Sequence, residues 1–207
     1  MNKMLSAIAP VLLLGSALGA HAASTVDLAV KGLVTPSSCT PSLTSGGVVD
    51  YGKMSSKDLR PDRATSLANV NLQLAVTCEG STLLALQGND NREGSDHRND
   101  LQYYGLGLIN GGEKLGAFDL RFSSPVADGI TVHTIASPNG GGSWWAEPNL
   151  VRGDILSVAH IGSLVPIPVR NLTADVRIGA EIAPTRQLTL DNEVPLDGSA
   201  TITVKYL

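Results

Sequence analysis

The sequence predicts an all-β protein, and three observations carry that expectation. Residues 200–207 read ATITVKYL and alternate strictly. Ala200, Ile202, Val204 and Tyr206 share one face, and Thr201, Thr203 and Lys205 the other, which is the signature of a strand. Asn110-Gly111-Gly112 stands between two apolar runs, and Asn-Gly in that setting is a strong hairpin signal. No segment sustains helical periodicity. Short runs separated by Gly, Pro, Asn and Ser clusters are the pattern of a β-sandwich.

The elements follow in chain order. Asn2 and Lys3 open a basic stretch, residues 5–18 are apolar, and Ala20-His21-Ala22 is a small-x-small cleavage site. Residues 1–22 therefore read as a secretory signal peptide, with an apolar core too short for a comfortable membrane span. Val26, Leu28 and Val30 then alternate with Asp27 and Lys31, and Thr35-Pro36-Ser37-Ser38 breaks the run before Cys39. Ser45-Gly46-Gly47 is a turn and residues 48–52 a short strand. Residues 55–67 are polar and irregular. Leu72, Leu74, Val76 and Cys78 share one face of a strand, and residues 83–86 form a short buried one. Residues 88–100 read as a charged loop. Residues 101–109 and 115–122 pair across Asn110-Gly111, with Phe118, Leu120 and Phe122 inward and Asp119 and Arg121 outward.

Residues 137–149, with Gly140-Gly141-Gly142 and Trp144-Trp145, are expected to be a long mobile loop with an aromatic tip. Residues 155–161 and 172–178 are strands, and Pro166 and Pro168 preclude a central strand between them. Residues 188–190 are a short strand. Asp197-Gly198 supplies a turn into the terminal strand, whose regularity places it in the core. With no internal repeat or linker, residues 23–207 are expected to form a single domain.

The net charge of −4 offers nothing basic for nucleic acid. Cys39 and Cys78 both lie in the exported part, so an oxidising compartment should pair them, with free thiols or a metal pair as the alternatives.

Several stretches resemble one family. Residues 31–39 (KGLVTPSSC) are similar to the first strand of chaperone–usher pilus subunits, and residues 70–78 (VNLQLAVTC) to their second cysteine strand. Residues 101–120 resemble their central hairpin, and residues 200–207 their final strand with its penultimate tyrosine, here Tyr206. The stretches CTPSLTSGGVVDYG and DNREGS look closer to an uncharacterised branch of secreted fimbrial-like proteins than to major pilins. The resemblance implies an immunoglobulin-like, pilin-type sandwich that lacks its seventh strand and so has a groove beside the final strand. A periplasmic chaperone fills that groove first, and the N-terminal extension of the next subunit replaces it by strand addition. Carried onto this chain, Ala200, Ile202, Val204 and Tyr206 form the groove strand that meets the chaperone. Val26, Leu28 and Val30 form the donor strand, although the segment before Lys31 is shorter than in the family. The implied partners are the chaperone, an outer-membrane usher, neighbouring subunits and a host or surface glycan. The implied destination is a surface fimbria, or secretion.

Other sites weigh less. Asn89-x-Asn91-x-Glu93-Gly94, with Asp100 beyond, loosely follows a calcium loop, but its first position is Asn, its last Asp, and no helices flank it. A hydrogen-bonded polar loop is the expectation, with no metal and no cofactor. His97, His133 and His160 are scattered; His133 and His160 lie in strand-like runs and are expected to be packed. No G-x-S-x-G elbow occurs, and no catalytic constellation can be assembled from the spacing, so an enzyme is not expected. Trp144 and Trp145 are candidates for a platform that stacks on sugars or partners; the alternative is that one ring caps the sandwich end. Two functions follow: a fimbrial subunit assembled by strand exchange, or a self-complete secreted sandwich that binds a glycan or protein without polymerising.

Overall fold

The computed structural model describes residues 29–31 and 38–207. The signal-peptide reading, Val26 and Leu28 lie outside the described residues. Two units are distinguished, Met1–Val34 and Thr35–Leu207. Of the first, residues 29–31 are described, exposed and without regular structure.

Among its described residues the second unit is all β apart from three short 3-10 turns. Its strands are β1 (Cys39–Leu43), β2 (Thr65–Ser66), β3 (Val70–Thr82), β4 (Leu84–Asp90), β5 (Tyr104–Gly105), β6 (Leu108–Ile109), β7 (Glu113–Lys114), β8 (Gly116–Ala127), β9 (Ile130–Ser137), β10 (Trp145–Ala146), β11 (Ile155–His160), β12 (Val169–Ile182) and β13 (Ala200–Tyr206). The long strands follow the order β1-β3-β12-β8-β9-β11-β4-β13, every pair antiparallel. The β8–β9 pairing is confined to the base of their hairpin. The path therefore folds into two layers, β1-β3-β12-β8 and β9-β11-β4-β13, with β1 and β13 as its two ends.

Alternation builds the layers. Leu72, Leu74, Val76 and Cys78 of β3 are buried between exposed or half-buried neighbours, as are Leu172, Ala174, Val176 and Ile178 of β12. Phe118, Leu120 and Phe122 of β8 join them, and Leu84, Leu86, Val132, Leu156 and Val158 supply the facing layer. Only Leu83 separates β3 from β4, so the chain passes from one layer to the other without a hairpin.

Several local readings need correction. Residues 48–52 and 188–190 join no ladder among the described residues; Val48 and Leu188 are extended and Gly52 is left-handed at φ 64°. Val49, Tyr51, Leu188 and Leu190 are half-buried against the core, so packing rather than pairing holds these segments. β4 runs to Asp90, into the stretch read as a loop. β9 has no counterpart in the sequence reading, although Asp128-Gly129 (φ 47° and 82°) makes the left-handed two-residue turn between β8 and β9. The hairpin at Asn110-Gly111 forms, but its ladder is limited to β6 with β7 and β5 with β8. Residues 137–149 are tied rather than mobile. The buried Ser137 hydroxyl donates to Asn139 Oδ1 (2.8 Å) and accepts from Gly141 N (2.8 Å), and Ser143 N donates to Asn139 Oδ1 (3.0 Å). His160 is exposed at the end of β11, not packed, whereas His133 is half-buried with Nε2 2.7 Å from Ser163 O.

The expected disulfide is present: Cys39 and Cys78 lie opposite each other on β1 and β3 and are bonded. Cross-linking residues 39 apart restricts the unfolded chain by about 4 kcal/mol in the chain-entropy account. Replacing both cysteines by serine should lower the unfolding free energy by roughly that amount in urea titration.

Candidate functional site: the open seam between β1 and β13

Among the described residues the terminal strand is an edge strand. β13 pairs with β4 along its whole length, from Ala200 opposite Asp90 to Tyr206 opposite Leu84. Among the described residues no strand pairs with its other edge. β1 pairs with β3, and among the described residues no other strand pairs with it. Alternation reports which side chains share a face; it carries no count of neighbouring strands.

Between these two ends the sandwich is open. A groove of about 600 Å³ runs along the seam, with Leu74, Leu106, Phe118, Leu120, Val176 and Ile178 on its floor. Ala200 and Ile202 line it from β13; they and Val204 on the same face are only half-buried, where an ordinary core strand would bury them fully. At one end the Tyr206 hydroxyl accepts a hydrogen bond from Cys39 N at 3.0 Å, tying the edges together; Tyr206 itself is 43% exposed. At the other end Val49, Tyr51 and Leu196 border the groove and also a second cavity of about 570 Å³. There the Lys53 ammonium meets the Glu193 carboxylate at 3.1 Å. The Tyr51 hydroxyl is shielded from solvent and has no hydrogen-bond partner among the described residues. Burial, reinforced by Asp119, pushes this phenol above its ordinary value.

Gly198 is not the turn residue its Asp-Gly pairing suggests. Its φ is not left-handed, but a Cβ there would press on Leu106 and Phe118 at 2.7 and 3.1 Å. The glycine lets the chain enter β13 close over the groove floor.

The loop after β4 anchors that entry. Arg92 donates to both oxygens of Asp197 at 2.9 and 2.8 Å. The Asn91 amide donates to Ser199 Oγ and Thr201 Oγ1. Residues of the calcium-like pattern are thus engaged with β13, and a guanidinium stands between the buried carboxylates: Arg152 lies 3.1 Å from Asp96 and 3.8 Å from Asp90. Further along, Glu181 of β12 receives both Arg98 and His97, with Arg98 Nη2 at 2.7 Å and His97 Nε2 at 2.6 Å. Burial alone would raise the Glu181 carboxyl, but the bonds from Arg98 and His97 outweigh it and hold the group below its ordinary value.

The remaining candidates lie elsewhere. Val30 is described and 89% exposed. Trp145, on β10, is 39% exposed and pairs with Ala136 of β9; Trp144 is half-buried. β9 and β13 are opposite edges of one layer, so the tryptophans and the groove are on different sides of the sandwich. Tyr51, Leu106 and Leu196 went unnoticed as groove residues. For Tyr51 the in–out alternation of Val49-Asp50-Tyr51 was the available signal.

Comparison with known proteins places the chain among uncharacterised relatives. A family described as "Protein of unknown function (DUF1120)" matches residues 28–104. Protein GltF of Escherichia coli (strain K12) is 29% identical, over 87% of this chain and 88% of its own length. Uncharacterized protein YhcF of the same strain is 26% identical, over 92% of this chain and 94% of its own.

Glu181→Ala would leave the Arg98 guanidinium and the His97 ring without their buried partner. It should destabilise the fold by about 3 kcal/mol at neutral pH. Because the carboxyl is depressed in the folded state, its contribution is full above the ordinary carboxylate value and is lost as pH falls through the folded one. Urea titrations of both proteins from pH 7 downward should therefore show the difference shrinking in acid.

Proposed function

We propose that this chain is an exported structural subunit of a surface fimbria, passed through a periplasmic chaperone and an outer-membrane usher and joined to its neighbours by strand exchange. The observation that carries the reading is the open seam. Between the two end strands of the sandwich lies an apolar groove, and among the described residues no strand pairs with the free edge of β13 beside it. An extended strand laid there would gain main-chain hydrogen bonds and place alternate side chains in the groove. Left empty, the same edge is an aggregation hazard, which gives a chaperone its task. The Cys39–Cys78 bond holds β1 to β3 and so supports one rim. Val26, Leu28 and Val30 have the matching alternation for a donor, and fully burying each such side chain is worth about 1.5–3 kcal/mol before the cost of ordering the segment. The role is structural rather than catalytic.

The test separates donor from acceptor. Val26→Asp with Leu28→Asp should abolish self-assembly while leaving a chaperone-bound monomer that still accepts a strand. Ile202→Asp should block acceptance while leaving the donor intact. Mixed together, the two variants should stop at a heterodimer on size-exclusion chromatography, because each supplies only half of the exchange. A wild type that is a stable monomer when produced without any chaperone would end this reading in favour of a self-complete glycan- or protein-binding sandwich.

A further inference from the structure

The groove and the second cavity lie end to end along one seam. One rim runs from β1 through the turn at residues 44–47 into residues 48–54; the other runs from residues 190–196 into β13. Val49, Tyr51 and Leu196 border both spaces, so the division between them is made of side chains, not of a strand. Residues 48–54 belong to no ladder; Val48 N bonds within the preceding turn and Gly52 N bonds Asp50 Oδ1. The pair that joins the rims over the second cavity, Lys53 with Glu193, is 88% and 78% exposed, and such pairs are worth little in water. Tyr51 borders the same cavity, and its solvent-shielded hydroxyl has no partner among the described residues. A buried hydroxyl without a partner is uncommon and calls for a reason.

We propose that the strand-binding site continues through both cavities and takes a peptide longer than β13, with the Tyr51 hydroxyl donating to a main-chain carbonyl of that peptide and the Lys53–Glu193 pair closing over it. This rests on the groove being a strand acceptor. The occupant is residues 24–35 of a second copy of this chain. Its alternation does not stop at Val30 but continues through Gly32 to Val34. Residues 26–34 extended cover about 30 Å, whereas β13 spans about 23 Å, so such a strand overhangs the groove by about two residues. Laid antiparallel to β13, the pairing slightly more stable per residue, it brings residues 32–34 over the second cavity. Burial and Asp119 keep the Tyr51 phenol protonated, and hence a donor, beyond its ordinary range.

Displacement of the chaperone from the Val26→Asp, Leu28→Asp chain, which cannot assemble with itself, by two synthetic peptides, residues 24–30 and residues 24–35, tests this. The longer should bind at least about tenfold more tightly. Tyr51→Phe should weaken the longer about fivefold, the usual worth of one hydrogen bond, and leave the shorter unchanged. The same variant should unfold in urea no earlier than wild type, because it removes an unpartnered buried hydroxyl; a merely structural hydroxyl would make it less stable. Lys53→Ala should speed dissociation of the longer peptide alone. Equal affinity for both peptides, or equal weakening of both by Tyr51→Phe, would confine the site to the groove and overturn the extension while sparing the groove reading. Failure of both peptides to bind would overturn both.

Discussion

The separation of β1 from β13 is the constraint on which the rest depends. A strand path folded into two layers has two ends, and if they meet, the core is sealed. Here the Tyr206 hydroxyl accepts a hydrogen bond from Cys39 N at one end of the seam, and among the described residues no ladder joins the two strands beside the apolar groove. The half-burial of Ala200, Ile202 and Val204 follows directly, as does the placing of Val49, Tyr51 and Leu196 along the rims. A groove lined by such apolar side chains favours an apolar occupant, so the features that shape it are informative.

Those features are covalent and polar. The disulfide fixes β1 in register on β3, so that rim cannot slide or peel to cover the floor. On the other side, Arg92 on Asp197 and Asn91 on Ser199 and Thr201 hold the start of β13 against the loop after β4. That loop is stiffened in turn by Arg152 between Asp90 and Asp96 and by Arg98 and His97 on Glu181. The charged stretch that resembles a calcium loop in sequence is thus a brace for the groove. Opposite charges already present in the chain satisfy its buried carboxylates.

Much of the core was legible. The faces of β3, β8, β12 and β13 can be read from period-two alternation, since each strand shows it independently of its neighbours. Where the structure departs from expectation, a local signal was either overlooked or non-specific. Asp128-Gly129 announces the β8–β9 hairpin as clearly as Asn110-Gly111 announces its own. Asp197-Gly198 has the same look but serves close packing on Leu106 and Phe118. A glycine states that a side chain is unwelcome; whether a turn or a neighbour excludes it is decided by distant residues.

By itself, then, the sequence determined the all-β class, the faces of the main strands and, through two cysteines behind a stretch that reads as an export signal, the expectation of a disulfide. Each of these follows from spacing along the chain or from chemistry common to a compartment. Only the tertiary structure decided that residues 48–52 and 188–190 pack without pairing, that β13 is an edge, and that a second cavity continues the groove past Tyr51. Whether an extended segment finds a hydrogen-bonding partner depends on what the remainder of the chain brings alongside it, and periodicity, being local, carries no record of that.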